Sequence, residues 1–369
     1  MQTVVDDSKI ESIGRQFLIE GEYRGFETLT NGHINTTYKV YFFRGGEIKD
    51  YILQRLNTYV FKNPVEVMEN ISSVTEYVRN KIKETRKTAK RNVLHYAKTA
   101  DGLYYYTVGD EFWRCYRFID GSKTFNLTDD LNIIKEAGKA FGEFQLYLAS
   151  YPVEKLNIVI PHFHNTVMRY TAFKDAIAAD SENRAAFVKG EITDYLDFEE
   201  TATKMYKMQK QGLLPLKVTH NDTKCNNVLF DEKTGEHLSV IDLDTVMPGL
   251  VAFDFGDAIR FTANSAEEDE KDLSKVSLDV DKYEAFTKGF ISEVGKTLSD
   301  NEKATMALGA VTMTVECGMR FLTDYLNGDK YFSISYPEHN LDRARCQLAL
   351  AKDMMNKFEK MNAIVNKYL

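Results

Sequence analysis

The chain has 369 residues, of which 43% are hydrophobic and 28% are charged, and this balance excludes extended disorder. Its formal net charge of −8 disfavours a nucleic-acid-binding protein, because affinity for phosphate backbones comes mainly from clustered Lys and Arg. The sequence contains no signal-peptide pattern and no run of about 18 apolar residues. We therefore expect a cytoplasmic protein without a membrane segment, and we expect it to be a monomer.

The first third of the chain is predicted to form a small antiparallel sheet with one helix. Strand-like residues run from Phe26 to Leu56, with a two-glycine turn at Gly45, and again over 103–108 and 112–119. A helical pattern near residues 65–79 separates these two groups of strands.

The rest of the chain is predicted to be mainly helical, starting with a helix that begins near Asp129 or Asp130. The exception lies within residues 218–244, where the short strands VLF and SVI flank a polar turn. Because 369 residues exceed what one hydrophobic core usually supports, we predict two lobes, residues 1–119 and 120–369, with a cleft between them. The expected fold class is α+β.

The most informative segment is THNDTKCNN at residues 219–227. Its His220, Asp222 and Asn227 fit the H-x-D-x-x-x-x-N spacing of kinase catalytic loops. Asp222 is the predicted catalytic base, because a carboxylate beside an acceptor hydroxyl can orient it and take its proton. Lys224 lies two residues later, where related loops place a phosphate-contacting cation. Three fixed positions also recur by chance, so this interpretation needs support from the flanking sequence.

That support comes from the hairpin that follows the loop. Asn227 precedes the VLF strand and Asp242 follows the SVI strand. The two open ends of a hairpin lie side by side, about 5 Å apart, so an amide oxygen and a carboxylate there can reach one cation. Mg²⁺ prefers such hard oxygen ligands. We therefore predict a magnesium site at Asn227 and Asp242.

A competing metal motif is the Asp-Phe-Gly triplet at residues 254–256, which matches the metal-binding triplet of protein kinases. We reject it because the hairpin delivers Asp242, whereas Asp254 lies beyond a predicted Pro-Gly turn at residues 248–249 and braces or caps the next segment. Asp244 is an alternative second metal ligand.

Together these segments resemble the aminoglycoside phosphotransferase and choline kinase superfamily, and within it the N-acetylhexosamine 1-kinases. The likeness covers nearly the whole chain, and two of its segments, ECGMRF and YPEHN, look specific to the hexosamine kinases. The segments that carry it are NGHINTTY (31–38), YILQRLN (51–57), EAGKAFGEFQ (136–145), THNDTKCNN (219–227), IDLDTVMPG (241–249), FDFGDAIRF (253–261), ECGMRFLTDYLNGDKYF (316–332) and YPEHN (336–340).

The resemblance implies a bilobal protein-kinase-like fold that uses ATP with Mg²⁺. It also implies phosphorylation of N-acetylglucosamine or N-acetylgalactosamine at the anomeric hydroxyl. It assigns the base and metal roles to the residues named above, and it adds His33, Arg320 and Tyr331 as sugar contacts. Each of these three has a simpler alternative: an exposed turn histidine, a structural ion pair and ordinary aromatic packing.

Phosphate contacts are less clearly marked, because the loop NGHINTT holds one glycine where protein kinases have three. Asn35, Thr36 and Thr37 would then present side chains or amides to the phosphates.

At the strand position of the usual kinase lysine the chain has Gln54 and Arg55. We favour Arg55 as the phosphate cation, although strand alternation directs the two side chains to opposite faces. Its helix partner is Glu69 or Glu76.

Phe118 and Ile119 join the two predicted lobes and are expected to offer backbone hydrogen bonds to adenine. Two rival functions stay open at this point. One is a kinase for another alcohol, such as choline or an aminoglycoside. The other is a nucleotide-binding pseudokinase without turnover.

Overall fold

A five-stranded antiparallel sheet forms the N-terminal part of the protein in a computed structural model, which describes residues 6–29, 34–85 and 89–369. The elements of this part are α1 (Asp7–Gly14), β1 (Glu22–Leu29), β2 (Thr36–Arg44), β3 (Glu47–Leu56), α2 (Pro64–Thr85), β4 (Tyr106–Val108) and β5 (Glu111–Arg117). The strand order is β1-β2-β3-β5-β4, and the tight turn at Gly45 joins β2 to β3 as predicted. Strand β4 is shorter than predicted, because Thr99 and Leu103 pair across a turn of their own.

The two faces of this sheet have different neighbours. Helix α1 covers one face, where Ile10 and Ile13 pack against Tyr38, Leu53 and Trp113. Helix α2 covers the other face with apolar residues at helical spacing, which include Val67, Ile71, Val74 and Val78. Alternation along the strands therefore decides which side chains can reach the rest of the protein.

Helices dominate the rest of the chain, as predicted, and the first of them begins after Asp130, whose side chain accepts a hydrogen bond from Asn132 N at 2.8 Å. The helices are α3 (Leu131–Leu148), α4 (Thr166–Ala179), α5 (Lys189–Asp197), α6 (Glu199–Lys210), α7 (Val251–Thr262), α8 (Val280–Val294), α9 (Asp300–Leu326), α10 (His339–Asn356) and α11 (Phe358–Tyr368). The strands are β6 (Ser122–Lys123), β7 (Lys217–Thr219), β8 (Val228–Asp231), β9 (His237–Val240) and β10 (Met247–Gly249).

The predicted hairpin is present, with β8 and β9 antiparallel and Val228 opposite Val240. The predicted turn at residues 248–249 is wrong. Those residues belong to β10, where Pro248 lies opposite Val218 of β7. Glycine is required at Gly249, because a Cβ there would lie 2.2 Å from the Thr219 Oγ1. The chain therefore continues as a strand that pairs directly with the start of the catalytic loop.

Close helix packing positions α7 against α9. A Cβ on Gly256 would lie 2.2 Å from the Gly309 carbonyl oxygen, and a Cβ on Gly309 would lie 2.0 Å from the Ala252 carbonyl oxygen. The glycine of the Asp-Phe-Gly triplet therefore serves backbone-to-backbone contact between two helices.

One hydrophobic cluster joins both halves of the chain. It contains Val74 and Val78 of α2 together with Phe144, Leu243 and Val246. The side chain of Asn70 also donates to the carbonyl oxygens of Asn157 and Val246, both at 2.9 Å. A lobe boundary at residues 119–120 stays a prediction. None of the helices in the described parts of the chain combines the length and hydropathy needed to cross a bilayer.

Candidate active site

The acidic residue of the Asp-Phe-Gly triplet accepts hydrogen bonds from the loop that carries Asp222. Asp254, in the first turn of α7, accepts hydrogen bonds from the backbone N–H groups of His220 and Asn221, both at 2.8 Å. Its Oδ2 also accepts from Gln145 Nε2 at 2.7 Å. Asp254 is 2% exposed and both its oxygens have donors. It braces the preceding loop rather than the following segment.

His220 links this loop to the hairpin. Its Nε2 donates to the Ile241 carbonyl oxygen at 2.8 Å, while its Nδ1 accepts from the Asp222 N–H at 3.2 Å. The ring is fully buried, with the rings of Phe141 and Phe144 edge-on to it. The histidine of the motif therefore has a structural role, whereas the side chain of Asp222 is 29% exposed.

Asp222 lies between a cation and an amide. Lys224 Nζ is 3.0 Å from its Oδ1, and Asn227 Nδ2 donates to its carbonyl oxygen at 2.8 Å and to its Oδ2 at 3.2 Å. Burial opposes ionisation of Asp222, but Lys224, His220 and the hydrogen bonds outweigh it, so its pKa is lowered. The carboxylate is thus ionised at neutral pH and able to accept a proton.

The hairpin brings Asp242 to the same place. Asn227 and Ile241 are paired, since Ile241 N donates to the Asn227 carbonyl oxygen at 2.9 Å. The next residue, Asp242, adopts a left-handed conformation with φ of 59°. Desolvation in the cleft, together with the neighbouring carboxylates Asp244 and Asp222, raises the pKa of Asp242 to about 7. A cation bound there would relieve this repulsion.

The oxygen atoms of Asn227 and Asp242 are of the kind that magnesium binds. The amide nitrogen of Asn227 is committed to Asp222, so its amide oxygen faces away from that donor position. Asp242 has no hydrogen-bond donor among the described residues. Within the same ranges no group of three or more His, Cys, Asp or Glu could hold a metal. An ion here would draw its remaining ligands from water and phosphate, as Mg²⁺ commonly does.

Asp244 is less suited than Asp242 to be a metal ligand, because protein donors already engage it. It forms an ion pair with Arg114 of β5, in which the two side chains are 4% and 2% exposed. Its other oxygen accepts from Asn35 Nδ2 at 2.7 Å. Both oxygens are therefore occupied by protein donors.

The position of Arg55 requires a correction to the expected phosphate cation. Arg55 pairs with Glu111 at 2.9 Å on the face of the sheet that α1 covers. Gln54 points to the opposite face, where its Oε1 accepts from Arg114 Nε at 2.8 Å. Strand alternation thus places Arg114, and not Arg55, on the side of Asp244. Sequence reasoning missed Arg114, because only the sheet register aligns it with Gln54.

The expected helix partner of that cation also differs. Glu69 accepts from Asn157 at 2.9 Å, and Glu76 bonds the hydroxyl of Tyr104. The residue of α2 that contacts Arg114 is Met68, with its sulfur 3.9 Å from Nη1. In the described structure, α2 therefore contacts Arg114 through the thioether of Met68 and not through the expected carboxylate.

The described part of the phosphate loop is tied to the same network. Asn35 accepts from the Asn57 N–H at 3.0 Å, and Thr37 accepts from Gln54 Nε2 at 2.9 Å. Thr36 Oγ1 lies 3.4 Å from Arg55 Nη2, on the other face. Asn35 and Thr37 therefore lie on the side of Asp244, whereas Thr36 lies on the face that α1 covers. The predicted sugar contact His33 lies outside the described residues.

Some backbone groups of the predicted hinge, Phe118 and Ile119, already form hydrogen bonds within the protein. The Phe118 N–H donates to the Asp50 carbonyl oxygen at 3.0 Å, and the Lys39 ammonium lies 4.2 Å from the Phe118 ring centroid. The Ile119 carbonyl oxygen accepts from Ser122 Oγ at 2.5 Å. In the described structure the Ile119 N–H has no such partner, and it stays a predicted donor to adenine.

Arg320 lies near the C-terminal end of α9, and Tyr331 lies close to it in the loop that follows. The Arg320 guanidinium carbon is 5.7 Å from the ring centroid of Phe163, 5.9 Å from that of Tyr331 and 5.4 Å from that of Phe332. In the described ranges Arg320 forms no direct ion pair, although its charge acts on Glu316, one turn earlier on α9. Tyr331 itself is 71% exposed.

The loop that presents Tyr331 is ordered by Asp324, which sequence reasoning missed. One oxygen of Asp324 accepts from the Tyr331 N–H at 2.8 Å and the other accepts from the Phe332 N–H at 2.9 Å. Asn340, the last residue of the YPEHN segment, donates to Asp324 at 3.0 Å. The spacing of four residues between Arg320 and Asp324 on one helix is the signal available in the sequence.

The protein is similar in sequence to a known enzyme family and in fold to several solved structures. The sequence pattern described as "Phosphotransferase enzyme family" matches residues 26–283. The structure is similar to a spectinomycin phosphotransferase solved with ADP and spectinomycin, with a TM-score of 0.57 at 14% identity, covering 95% of this chain and 100% of that one.

Two further solved structures have a similar fold. A choline kinase from Cryptosporidium parvum Iowa II gives a TM-score of 0.58 at 14% identity, covering 98% of this chain and 99% of that one. A microcompartment-associated aminopropanol kinase gives 0.54 at 13% identity, covering 97% and 99%. These likenesses confirm the predicted α+β, protein-kinase-like fold. The family pattern covers well over half of the chain, and the chain therefore belongs to the phosphotransferase enzyme family.

Proposed function

We propose that the protein is an ATP-dependent kinase that phosphorylates the anomeric hydroxyl of N-acetylglucosamine or N-acetylgalactosamine. The segments ECGMRF and YPEHN, which resemble the hexosamine 1-kinases, support this substrate class. Residues of both segments lie in one cluster of side chains, which supports the proposal. Arg320 belongs to the first segment, and Asn340 of the second helps to order the loop of Tyr331.

The observation that carries the choice of acceptor is the cation among the aromatic rings. Quaternary ammonium groups are typically bound by aromatic cages. Here the rings of Phe163, Tyr331 and Phe332 already face the guanidinium of Arg320. A second cation, as in choline or an aminoglycoside, would meet like-charge repulsion. A neutral polyhydroxyl acceptor can instead accept hydrogen bonds from Arg320 and stack on Tyr331.

The reaction uses Asp222 as the base. The acceptor oxygen bonds to the γ-phosphorus while the bond from that phosphorus to the β–γ bridging oxygen breaks, and ADP leaves. Asp222 orients the acceptor hydroxyl and takes its proton, and Lys224 balances charge beside it. Asn227 and Asp242 would hold Mg²⁺, which neutralises phosphate charge when bound.

A pseudokinase is disfavoured by the arrangement around Asp222. A protein that only binds nucleotide does not need a partly exposed carboxylate held in place by Lys224 and Asn227. The same arrangement can orient an acceptor hydroxyl and accept its proton.

The test is a comparison of acceptors. The protein would be incubated with Mg·ATP and N-acetylglucosamine, N-acetylgalactosamine, choline or kanamycin, and the products followed by phosphorus NMR. We expect an anomeric sugar phosphate from at least one hexosamine. Phosphocholine or phosphorylated kanamycin without any sugar 1-phosphate would overturn the acceptor assignment. Absence of ADP with every acceptor would favour the pseudokinase.

A further inference from the structure

The residue before the base is held at every polar group. Asn221 has a left-handed φ of 63° and is 5% exposed. Its N–H donates to Asp254 at 2.8 Å, and its side chain donates to the Thr245 carbonyl oxygen at 2.9 Å and accepts from Thr219 Oγ1 at 3.0 Å. Its carbonyl oxygen faces His164 Nε2 at 3.4 Å. Asp254, Thr245 and Thr219 lie within 33 positions of Asn221 along the chain, whereas His164 lies 57 positions away.

His164 is in turn held by Glu316 of α9. Its Nδ1 lies 2.8 Å from Glu316 Oε1, and Glu316 is 1% exposed. Burial opposes ionisation of Glu316, but His164, Arg169 and Arg320 outweigh it and lower its pKa. An ionised carboxylate only accepts hydrogen bonds, so the Nδ1 atom of His164 must donate.

Both nitrogens of the His164 ring therefore face acceptors. One acceptor is the Glu316 carboxylate and the other is the Asn221 carbonyl oxygen. The ring is confined between Phe163, with centroids 4.4 Å apart, and Phe253, at 5.9 Å. One ring orientation satisfies both bonds, and it does so with a proton on each nitrogen, in which state the Glu316 carboxylate balances the charge of the ring.

We propose that His164, oriented by Glu316, is a positioning residue for the base. By donating to the Asn221 carbonyl oxygen it fixes the left-handed peptide that directs Asp222 into the cleft. Glu316 lies one helical turn before Arg320, so the same helix that presents the proposed acceptor contact also orients the catalytic loop. The inference rests on the proposed function only in taking Asp222 as the base.

The main test is amide hydrogen exchange in residues 219–227, which needs no acceptor and therefore does not depend on the hexosamine assignment. His164→Phe keeps the ring and its aromatic contacts and removes both N–H donors. We expect exchange in this loop to become about fivefold faster, as for the loss of one hydrogen bond. We also expect kcat to fall by about 10- to 100-fold with the KM for ATP unchanged, because a misplaced base costs rate and not nucleotide affinity.

His164→Phe also leaves Glu316 buried without its partner, which lowers stability for a separate reason. The double variant His164→Phe/Glu316→Met replaces both partners by apolar groups and should regain most of the lost thermal stability. Positioning predicts that its loop exchange stays fast and its kcat stays low. If exchange and kcat recover together with stability, the pair is only structural and the proposal is overturned.

His339→Phe is the matched control. His339 is 3% exposed and also joins a carboxylate to a backbone group, with Nε2 3.1 Å from Asp269 and Nδ1 accepting from the Ser335 N–H at 3.1 Å. It does not contact the catalytic loop in the described structure. We expect exchange in residues 219–227 to be unchanged in this variant. Equally fast exchange in His339→Phe would mean that any buried histidine has this effect, and it would overturn the specific role of His164.

Discussion

Arg114 and Asp244 form a buried ion pair that joins the N-terminal sheet to the segment directly after the catalytic hairpin. The pair is extended on both sides, because Asp244 also accepts from Asn35 and Arg114 also donates twice to Gln54, at 2.8 and 2.6 Å. One continuous set of hydrogen bonds thus connects the phosphate loop with the residues beside the proposed metal ligand Asp242. Removing the charge of Arg114 or of Asp244 would therefore weaken the contact between the N-terminal sheet and the segment that carries Asp242.

Arg114→Met leaves the Asp244 carboxylate buried without its counterion. We expect the free energy of unfolding to fall by about 3–5 kcal/mol. The double variant Arg114→Met/Asp244→Leu should lose less than the sum of the single variants, as denaturant unfolding would measure. Arg55→Met is the control, since its pair with Glu111 is 43% exposed on the arginine side and is worth less than about 1 kcal/mol. Equal losses for both single arginine variants would contradict this account.

Asp222→Asn removes the proposed base and keeps its size. We expect kcat to fall by about 10²–10⁴-fold while nucleotide affinity is retained, because the amide cannot take the proton of the acceptor. Initial rates of ADP release and calorimetric titration with nucleotide would measure the two effects. Asp194→Asn, which alters only a surface pair with Lys352, is the control. Turnover of Asp222→Asn near the wild-type rate would rule out this role.

Asp242→Ala tests the metal site through binding rather than turnover. We expect the affinity for ATP in the presence of Mg²⁺ to fall by at least about tenfold, because a ligand of the ion is lost. Without Mg²⁺ the affinity should not fall, since the repulsion between Asp242 and its carboxylate neighbours is also removed. Calorimetry with and without the metal separates the two cases, and an equal loss in both would place the metal elsewhere.

Arg320→Met should affect the acceptor and not the nucleotide. The methionine keeps apolar contact with the rings of Phe163 and Phe332 but loses the donors that the proposed sugar would use. We expect KM for the hexosamine to rise by about tenfold or more, with KM for ATP unchanged. Arg345→Met, on α10 and paired with Glu191, is the control. A change in the KM for ATP alone would show that Arg320 belongs to the nucleotide site.

The pH dependence of stability should reveal His237, the partly buried histidine of the hairpin. Burial opposes the charged ring of His237, but its bonds to Glu136 and Glu143 outweigh this and raise its pKa to about 9. The folded state therefore holds a proton that the unfolded state releases near pH 6.5. Stability from this group is complete below about pH 6.5 and is lost as the pH rises through about 9.

We expect the wild-type protein to lose roughly 3 kcal/mol over that interval through His237. His237→Asn should be less stable at pH 6 and should lack this slope, as urea unfolding at several pH values would show. His162→Asn, at an exposed position with left-handed φ of 59°, should keep the wild-type slope. A slope that survives in His237→Asn would assign the effect to other groups.

Much of the fold was predictable because its signals are local. Alternating apolar residues predicted the strands of the N-terminal sheet, and the two short apolar runs around a polar turn predicted the hairpin β8–β9. Strand alternation also predicted that Gln54 and Arg55 face opposite sides. The short helix α1 was not predicted, because its 8 residues give little periodicity.

The amino-acid sequence by itself determined that Asp222, Asn227 and Asp242 lie near one another, because a tight turn unit brings together residues that are close along the chain. Only the tertiary structure decided which distant residues support them. Arg114 and Asp244 are 130 positions apart, and His164 and Glu316 are 152 positions apart. Periodicity shows which side of an element is buried, but the partner that meets it there depends on how the lobes and helices pack.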